Sequence, residues 1–120
     1  MEIKPVTYEW DDCACKCGCL QNNTKRETLE QINNFVLATN GTEIITSIYR
    51  CPEHNAKVGG RVNSKHIEGK CFDIRCVYNF KRYYIVKILM ELGVRGIGVG
   101  NDHIHVLVDG TLTTKGLWLE

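Results

Sequence analysis

Two short stretches hold the side chains best suited to chemistry: Ser64-Lys65-His66-Ile67-Glu68-Gly69-Lys70-Cys71-Phe72-Asp73 and Asp102-His103-Ile104-His105. Between them they offer imidazoles and a carboxylate, with a further acid, Asp102, three residues before the last histidine. Zn²⁺ in a catalytic site is held by three nitrogen or oxygen ligands, and its fourth position stays open to water. An acid or base beside that water completes a hydrolytic centre. His66, Asp73 and His105 are therefore the candidate metal ligands, and Asp102 is the candidate general base.

The elements that must position them follow from period. Cys71–Cys76 and His103–Val108 both alternate as half-buried strands do. In the second run Ile104, Val106 and Val108 face one side and His103, His105 and Leu107 the other. In the first, Phe72 and Ile74 join the apolar side, which leaves Asp73 facing with the histidines. Paired as neighbours, the two strands bring Asp73 and His105 onto one face. His66 precedes them in a loop that Gly69 makes pliable. Asp102 lies an odd number of residues from His105, so it must sit in the loop before the strand, or at a bulge, to reach the same place. Gly98-Val99-Gly100-Asn101 is suited to such a loop.

The pattern S-x-H-x-x-G-x-x-x-D followed by D-x-x-H resembles the zinc D-Ala-D-Ala carboxypeptidase family, which includes phage L-alanyl-D-glutamate endopeptidases and shares its fold with the Hedgehog signalling domain. Ser47-Ile48-Tyr49-Arg50-Cys51-Pro52-Glu53-His54-Asn55, Val58-Gly59-Gly60 and Gly96-Ile97-Gly98 resemble further segments of that family. The likeness implies a Hedgehog/DD-peptidase-like α+β fold: a small, largely antiparallel sheet with helices on one face and one catalytic Zn²⁺ on the other. It also implies that Arg50 polarises the scissile carbonyl and steadies the oxyanion, a task that needs a fixed positive group. Against this stands the simpler reading of a structural arginine paired with a carboxylate. Ser64 and His103 are candidate substrate contacts, against a turn residue and a surface histidine. Glu68 is a fallback base. Two positions depart from the family: Cys71 stands where a small residue such as Ala is usual, and Leu107 where many small relatives carry an acid.

At 120 residues the chain is expected to form one domain, 1–120, with an irregular, cysteine-rich segment over 1–24. Its 15 basic and 14 acidic side chains nearly cancel, and no basic run points to nucleic acid. No apolar stretch approaches the roughly 20 residues needed to span a bilayer, so no membrane insertion is expected. Residues 1–12 have neither the charge nor the apolar run of a secretory signal. Seven cysteines are many for this length: Cys13, Cys15, Cys17, Cys19, Cys51, Cys71 and Cys76. An odd count without an export signal argues against a pure disulfide framework. The C-x-C-x-C-x-C run lacks the C-x₂-C spacing that structural zinc prefers. A structural clip, through a second metal ion or a bond toward Cys51, stands beside plain surface thiols. Cys71 and Cys76 read as small strand residues.

In chain order, Tyr8 and Trp10 are available to pin the irregular N-terminal segment. Thr24–Thr39 reads as a helix capped by Thr24, with Glu27 completing the box and Asn40-Gly41 ending it. Glu43–Tyr49 reads as a strand and Cys51–Asn63 as a loop. Asn79–Leu92 is a second helix whose core face is Tyr84, Ile85, Ile88, Leu89 and Leu92, with Gly93 closing it. Val94–Val99 is a strand in a hairpin with His103–Val108. Asp109-Gly110 signals a turn, and Leu117–Leu119 an edge strand.

What the resemblance implies for substrate is a peptidoglycan stem peptide, cleaved as a D-Ala-D-Ala carboxypeptidase or an L-Ala-D-Glu endopeptidase. A compact chain of this kind resembles the phage endolysins, made in the bacterial host cytoplasm and acting on the cell wall after release or within a virion; a monomer is expected. The alternative is a non-catalytic zinc-binding module of the same fold. A cysteine-rich redox or metal-storage protein is a third reading, and it leaves the His/Asp motifs unexplained.

Overall fold

The computed structural model describes residues 5–108 and 116–120. Five strands form one sheet: β1 (Ile45–Ser47), β2 (Cys71–Arg75), β3 (Gly96–Val99), β4 (His103–Leu107) and β5 (Gly116–Leu119), in the order β1-β2-β4-β3-β5. Every pairing is antiparallel except β3–β5, which is parallel at the edge. The α+β class, the β3–β4 hairpin and the C-terminal edge strand thus agree with expectation. The turn read at Asp109-Gly110 lies outside the described residues.

Alternation decides the two faces. Phe72, Ile74, Ile97, Ile104 and Val106 are buried on one side, where they pack with Ile32, Phe35 and Val36 of α1 (Arg26–Ala38) and Ile85 and Leu89 of α3 (Asn79–Glu91). Burying each such side chain contributes about 1.5–3 kcal/mol, which locks the parity of both strands. Ile88 and Leu92 pack at the margin of this core, whereas Tyr84 stays 38% exposed, outside its expected place. The opposite face carries Asp73 and His105, directly paired across β2 and β4.

Both long helices end in left-handed caps. After α1, Asn40 has φ 54° and Gly41 N–H reaches the Val36 carbonyl at 2.9 Å. After α3, Gly93 has φ 79° and Val94 N–H reaches the Leu89 carbonyl at 3.1 Å. Each contact satisfies a terminal carbonyl of the helix. The start of α1 corrects the capping expectation: Lys25 is the N-cap, and the Thr24 hydroxyl is bonded to Asn22 Oδ1 at 2.6 Å. The Gly69 carbonyl does the tying instead, accepting from Lys25 N–H at 3.0 Å and the Thr28 hydroxyl at 2.7 Å. Gly69 has φ 71°, and a Cβ there would lie 1.9 Å from the Asn23 carbonyl oxygen. The loop after His66 is thereby pressed onto the helix start, in a conformation suited to glycine.

Two further expectations change. β1 covers only Ile45–Ser47, because residues 48 to 50 use their backbone groups elsewhere: Ile48 C=O on His66, Tyr49 N–H on Cys13 C=O, and Arg50 N–H on His66 C=O. Within the segment read as loop, Pro52–Lys57 forms a short helix, α2, with Cys51 as N-cap and its sulfur accepting from His54 N–H. Proline at the first helical position suits that start. The N-terminal segment is irregular apart from a 3₁₀ turn at Trp10–Cys13. Tyr8 is held by paired bonds with Asn33, and Trp10 by its indole N–H on Thr24 C=O. Among the described residues no helix is long and apolar enough to cross a membrane.

Candidate metal centre and cleft

Asp73 stands between two imidazoles. Its Oδ1 lies 2.9 Å from His105 Nδ1 and its Oδ2 3.2 Å from His66 Nε2. β2 and β4 supply Asp73 and His105 by register, and the loop fastened through Gly69 supplies His66. The His66 ring is buried, and its Nδ1–H donates to the Ile48 carbonyl at 2.6 Å. A carbonyl can only accept, so the neutral ring carries its lone pair on Nε2, facing a carboxylate lone pair. A cation between them removes that conflict. Ligands about 2.0–2.1 Å from a tetrahedral Zn²⁺ lie about 3.3 Å apart, close to the spacings here. A backbone carbonyl that orients the non-ligating nitrogen is also the usual outer partner of a metal-bound histidine. Burial alone would push the Asp73 carboxyl up; the imidazoles of His105 and His66 beside it outweigh burial and hold it well below the usual carboxylate range. The donor types and these two spacings are compatible with a zinc site, and Cys71 is the third donor grouped with the two histidines.

These groups lie in the wall of a cleft of about 700 Å³ that Arg50, Ser64, Lys65, His103, Trp118 and Glu120 also line. Arg50 donates through Nη2 to the Ser64 hydroxyl oxygen at 3.3 Å, and that oxygen also accepts from His66 N–H at 3.2 Å. Ser64 thus links the arginine to the loop of the first histidine. Among the described residues no carboxylate pairs with Arg50, and its Nε is buried without a hydrogen-bond partner. A buried, unpaired guanidinium N–H is costly and remains available to an incoming oxygen.

Asp102 lies in the loop before β4, one of the two placements that parity left open, but its carboxylate does not line the cleft. It is 80% exposed, and Oδ1 lies 2.9 Å from His103 Nδ1. That bond holds the Asp102 carboxyl below its usual value. Burial pushes the His103 imidazole down, but the bond to Asp102 and the charges of Asp73 and Glu120 outweigh it and raise it. His103 itself faces the cleft, with Nε2 3.5 Å from Glu120 Oε1. Glu68 is tied to Lys65 at 3.0 Å and does not line the cleft.

Three contributors escaped the sequence reading. Trp118 lies with its ring centroid 6.1 Å from that of His105 and donates through Nε1 to Glu120 at 2.6 Å. Gly96 and Gly98 make room for it: a Cβ on Gly98 would lie 2.6 Å from Trp118 Nε1 and 2.9 Å from the Glu120 carboxyl carbon. Glu120 lines the cleft beside Trp118. The third is Cys71, whose sulfur lies within 4.8 Å of ligand nitrogens of both His66 and His105. Burial, then the charge of Asp73, pushes its thiol far above the ordinary value. Strand parity carried the signal, since Cys71 and Asp73 must share a face. Cys76, read as a strand residue, lies one position past the end of β2 and is buried in the core.

A sheet that presents two histidines and an aspartate in the wall of a cleft, beside an arginine that pairs with no carboxylate among the described residues, defines the frame of a zinc hydrolase. The model of the peptidase M15 family matches residues 5–109, and the chain belongs to that family. It is a zinc metallopeptidase. No curated protein gives a significant match.

Proposed function

We propose that this protein hydrolyses peptide bonds in peptidoglycan stem peptides, as a D-Ala-D-Ala carboxypeptidase or an L-Ala-D-Glu endopeptidase of the compact phage type. It would act as a monomer through one domain spanning 1–120. The observation that carries the reading is the convergence of His66, Asp73 and His105 beside the carboxylate-free guanidinium of Arg50. His66, Asp73 and His105 would hold Zn²⁺, which supplies Lewis-acid polarisation and a water acidic enough to react near neutral pH. Arg50, oriented by Ser64, meets the oxygen on which negative charge develops and lowers the barrier without reorganising. The proton is taken up on the Asp102–His103 side of the cleft and returned there to the leaving amine. Asp102 would act as base through His103, the member of the pair that lines the cleft and would touch substrate.

A rival reading, a zinc-binding module without catalysis, draws on the orientation of Asp102 toward His103 and away from the cleft. Digestion of purified peptidoglycan decides between them, with added Zn²⁺, with chelator, and with Arg50→Ala and Asp102→Ala, the fragments being identified by mass. Release of new amines that all three perturbations abolish is expected, and the fragment masses name the bond. Zinc bound in the wild type with no amine released would establish the module instead.

A further inference from the structure

The second group of metal-ligating side chains lies outside the cleft. The sulfurs of Cys15, Cys17, Cys19 and Cys51 all lie within 4.8 Å of one another. Cys15 and Cys17 are 3.5 Å apart, and Cys17 and Cys51 3.7 Å. A disulfide requires about 2.05 Å, so none of these pairs is bonded. Four thiolates about 2.3 Å from a tetrahedral Zn²⁺ lie about 3.8 Å from one another, and the observed separations match that figure. We propose that Cys15, Cys17, Cys19 and Cys51 form a structural tetrathiolate site for a second Zn²⁺, separate from the His66/Asp73/His105 centre.

Three further observations bear on it. Backbone N–H groups point at three of the sulfurs: Cys51 N–H at Cys15 (3.3 Å), Gln21 N–H at Cys19 (3.4 Å) and His54 N–H at Cys51 (3.4 Å). N–H donors of this kind are the outer partners that favour thiolate and orient it on a metal. The backbone is bent to bring the sulfurs together, with Gly18 at φ 89° and Leu20 at φ 65°. The left-handed region is unfavourable for leucine, and Leu20 is 86% exposed, so packing of its side chain does not offset the strain. A metal bond at the neighbouring sulfurs would offset it. Apolar support is also thin: the buried cluster here contains only Cys15, Tyr49 and Cys51. Small elements of this kind are commonly held by a metal.

Placement gives the site its purpose. Cys51 follows Arg50 directly and is the N-cap of α2, so a metal on its sulfur ties residues 15 to 19 to the root of the arginine. The two sites are independent in their ligands, and this one stands whether or not the cleft is catalytic.

The test is metal stoichiometry and Co²⁺ spectroscopy on the full chain, purified without oxygen. Wild type is expected to hold two equivalents of Zn²⁺. Cys17→Ser and Cys19→Ser, both at exposed positions, are each expected to reduce this to one, and His66→Ala also to one. In the His66→Ala chain, Co²⁺ should still give the intense near-ultraviolet thiolate charge-transfer band, and Cys17→Ser in that background should abolish it. Circular dichroism of each variant separates loss of the site from loss of the fold. One equivalent in the wild type, unchanged by Cys17→Ser, would overturn the proposal. So would disulfides among these four residues in the anaerobically purified protein, or no charge-transfer band in the His66→Ala chain.

Discussion

Replacing Asp73 by asparagine keeps the shape of the side chain and removes its charge, which tests the reasoning about the cleft most directly. The Asp73 carboxylate is 16% exposed and lies within 3.2 Å of both imidazoles, so water screens it little. Removing one partner from a buried, hydrogen-bonded charged group costs about 3–5 kcal/mol. At 1.4 kcal/mol per decade, the low end of that range lowers zinc affinity by a factor of about 10² and the high end by over 10³. With free Zn²⁺ at roughly 1,000 times the wild-type Kd, metal binding stabilises the fold by about 4 kcal/mol; a thousandfold weaker site leaves about 0.4 kcal/mol. In a chain of 120 residues, 1 kcal/mol moves Tm by about 4 °C. The Tm increment due to this site should therefore fall from about 15 °C to about 2 °C in Asp73→Asn. Thermal scans across a chelator-buffered zinc series measure it, and metal analysis should show one equivalent lost. An unchanged zinc affinity would refute the assignment of Asp73 as a ligand, and with it the argument from strand register.

Other outcomes follow from the same geometry. Arg50→Ala should lower kcat by about 10²–10³ and leave zinc content unchanged, as expected of a donor that meets charge formed in the transition state; a change confined to KM would make Arg50 a substrate anchor. Gly98→Ala should displace Trp118 and Glu120 from the cleft wall, because its Cβ would lie 2.6 Å from the indole nitrogen; altered tryptophan fluorescence and a raised KM would report it. Asp102→Asn and His103→Ala should impair turnover about equally, and the double variant no more than either, since the two act as one unit. Additive losses would separate their roles. Burial, then the charge of Asp12, pushes the Cys13 thiol up from 9.0 to about 11. Across that window the unfolded chain ionises and the folded one does not. Cys13 therefore leaves stability unchanged below pH 9 and reduces it as pH rises to 11, which denaturant titrations of wild type and Cys13→Ala would show.

Much of the site could be read locally. The two-residue period of Cys71–Arg75 and His103–Leu107 assigns the faces, because reversing either strand would expose Phe72, Ile74, Ile104 and Val106. The ends of both long helices were legible in Asn40-Gly41 and Gly93, which take left-handed conformations at little cost. The β1 boundary and α2 were not. Ile48 and Tyr49 favour extended backbone, yet the backbone bonds of residues 48 to 50 go to His66 and Cys13, and α2 is too short to show a helical period. The helix cap at Thr24 failed for a similar reason, since the Gly69 carbonyl, distant in sequence, occupies the donors that a local cap would take.

What the sequence determined by itself is the set of residue types and their parity: an aspartate and a histidine on one face of adjacent strands, a histidine ahead of them, and an arginine before Cys51. Tertiary structure decided which atoms meet. It chose the Nε2 lone pair of His66 through the Ile48 carbonyl, turned Asp102 toward His103, and laid Trp118 across Gly96 and Gly98. It also brought Cys51 to the sulfurs of Cys15, Cys17 and Cys19, a contact that no spacing rule announces. The physical reason is range. Period and capping are settled by neighbours within a turn or a strand, whereas these contacts, the adjacent Asp102–His103 pair apart, join groups distant in the chain, and their geometry exists only once the core has closed.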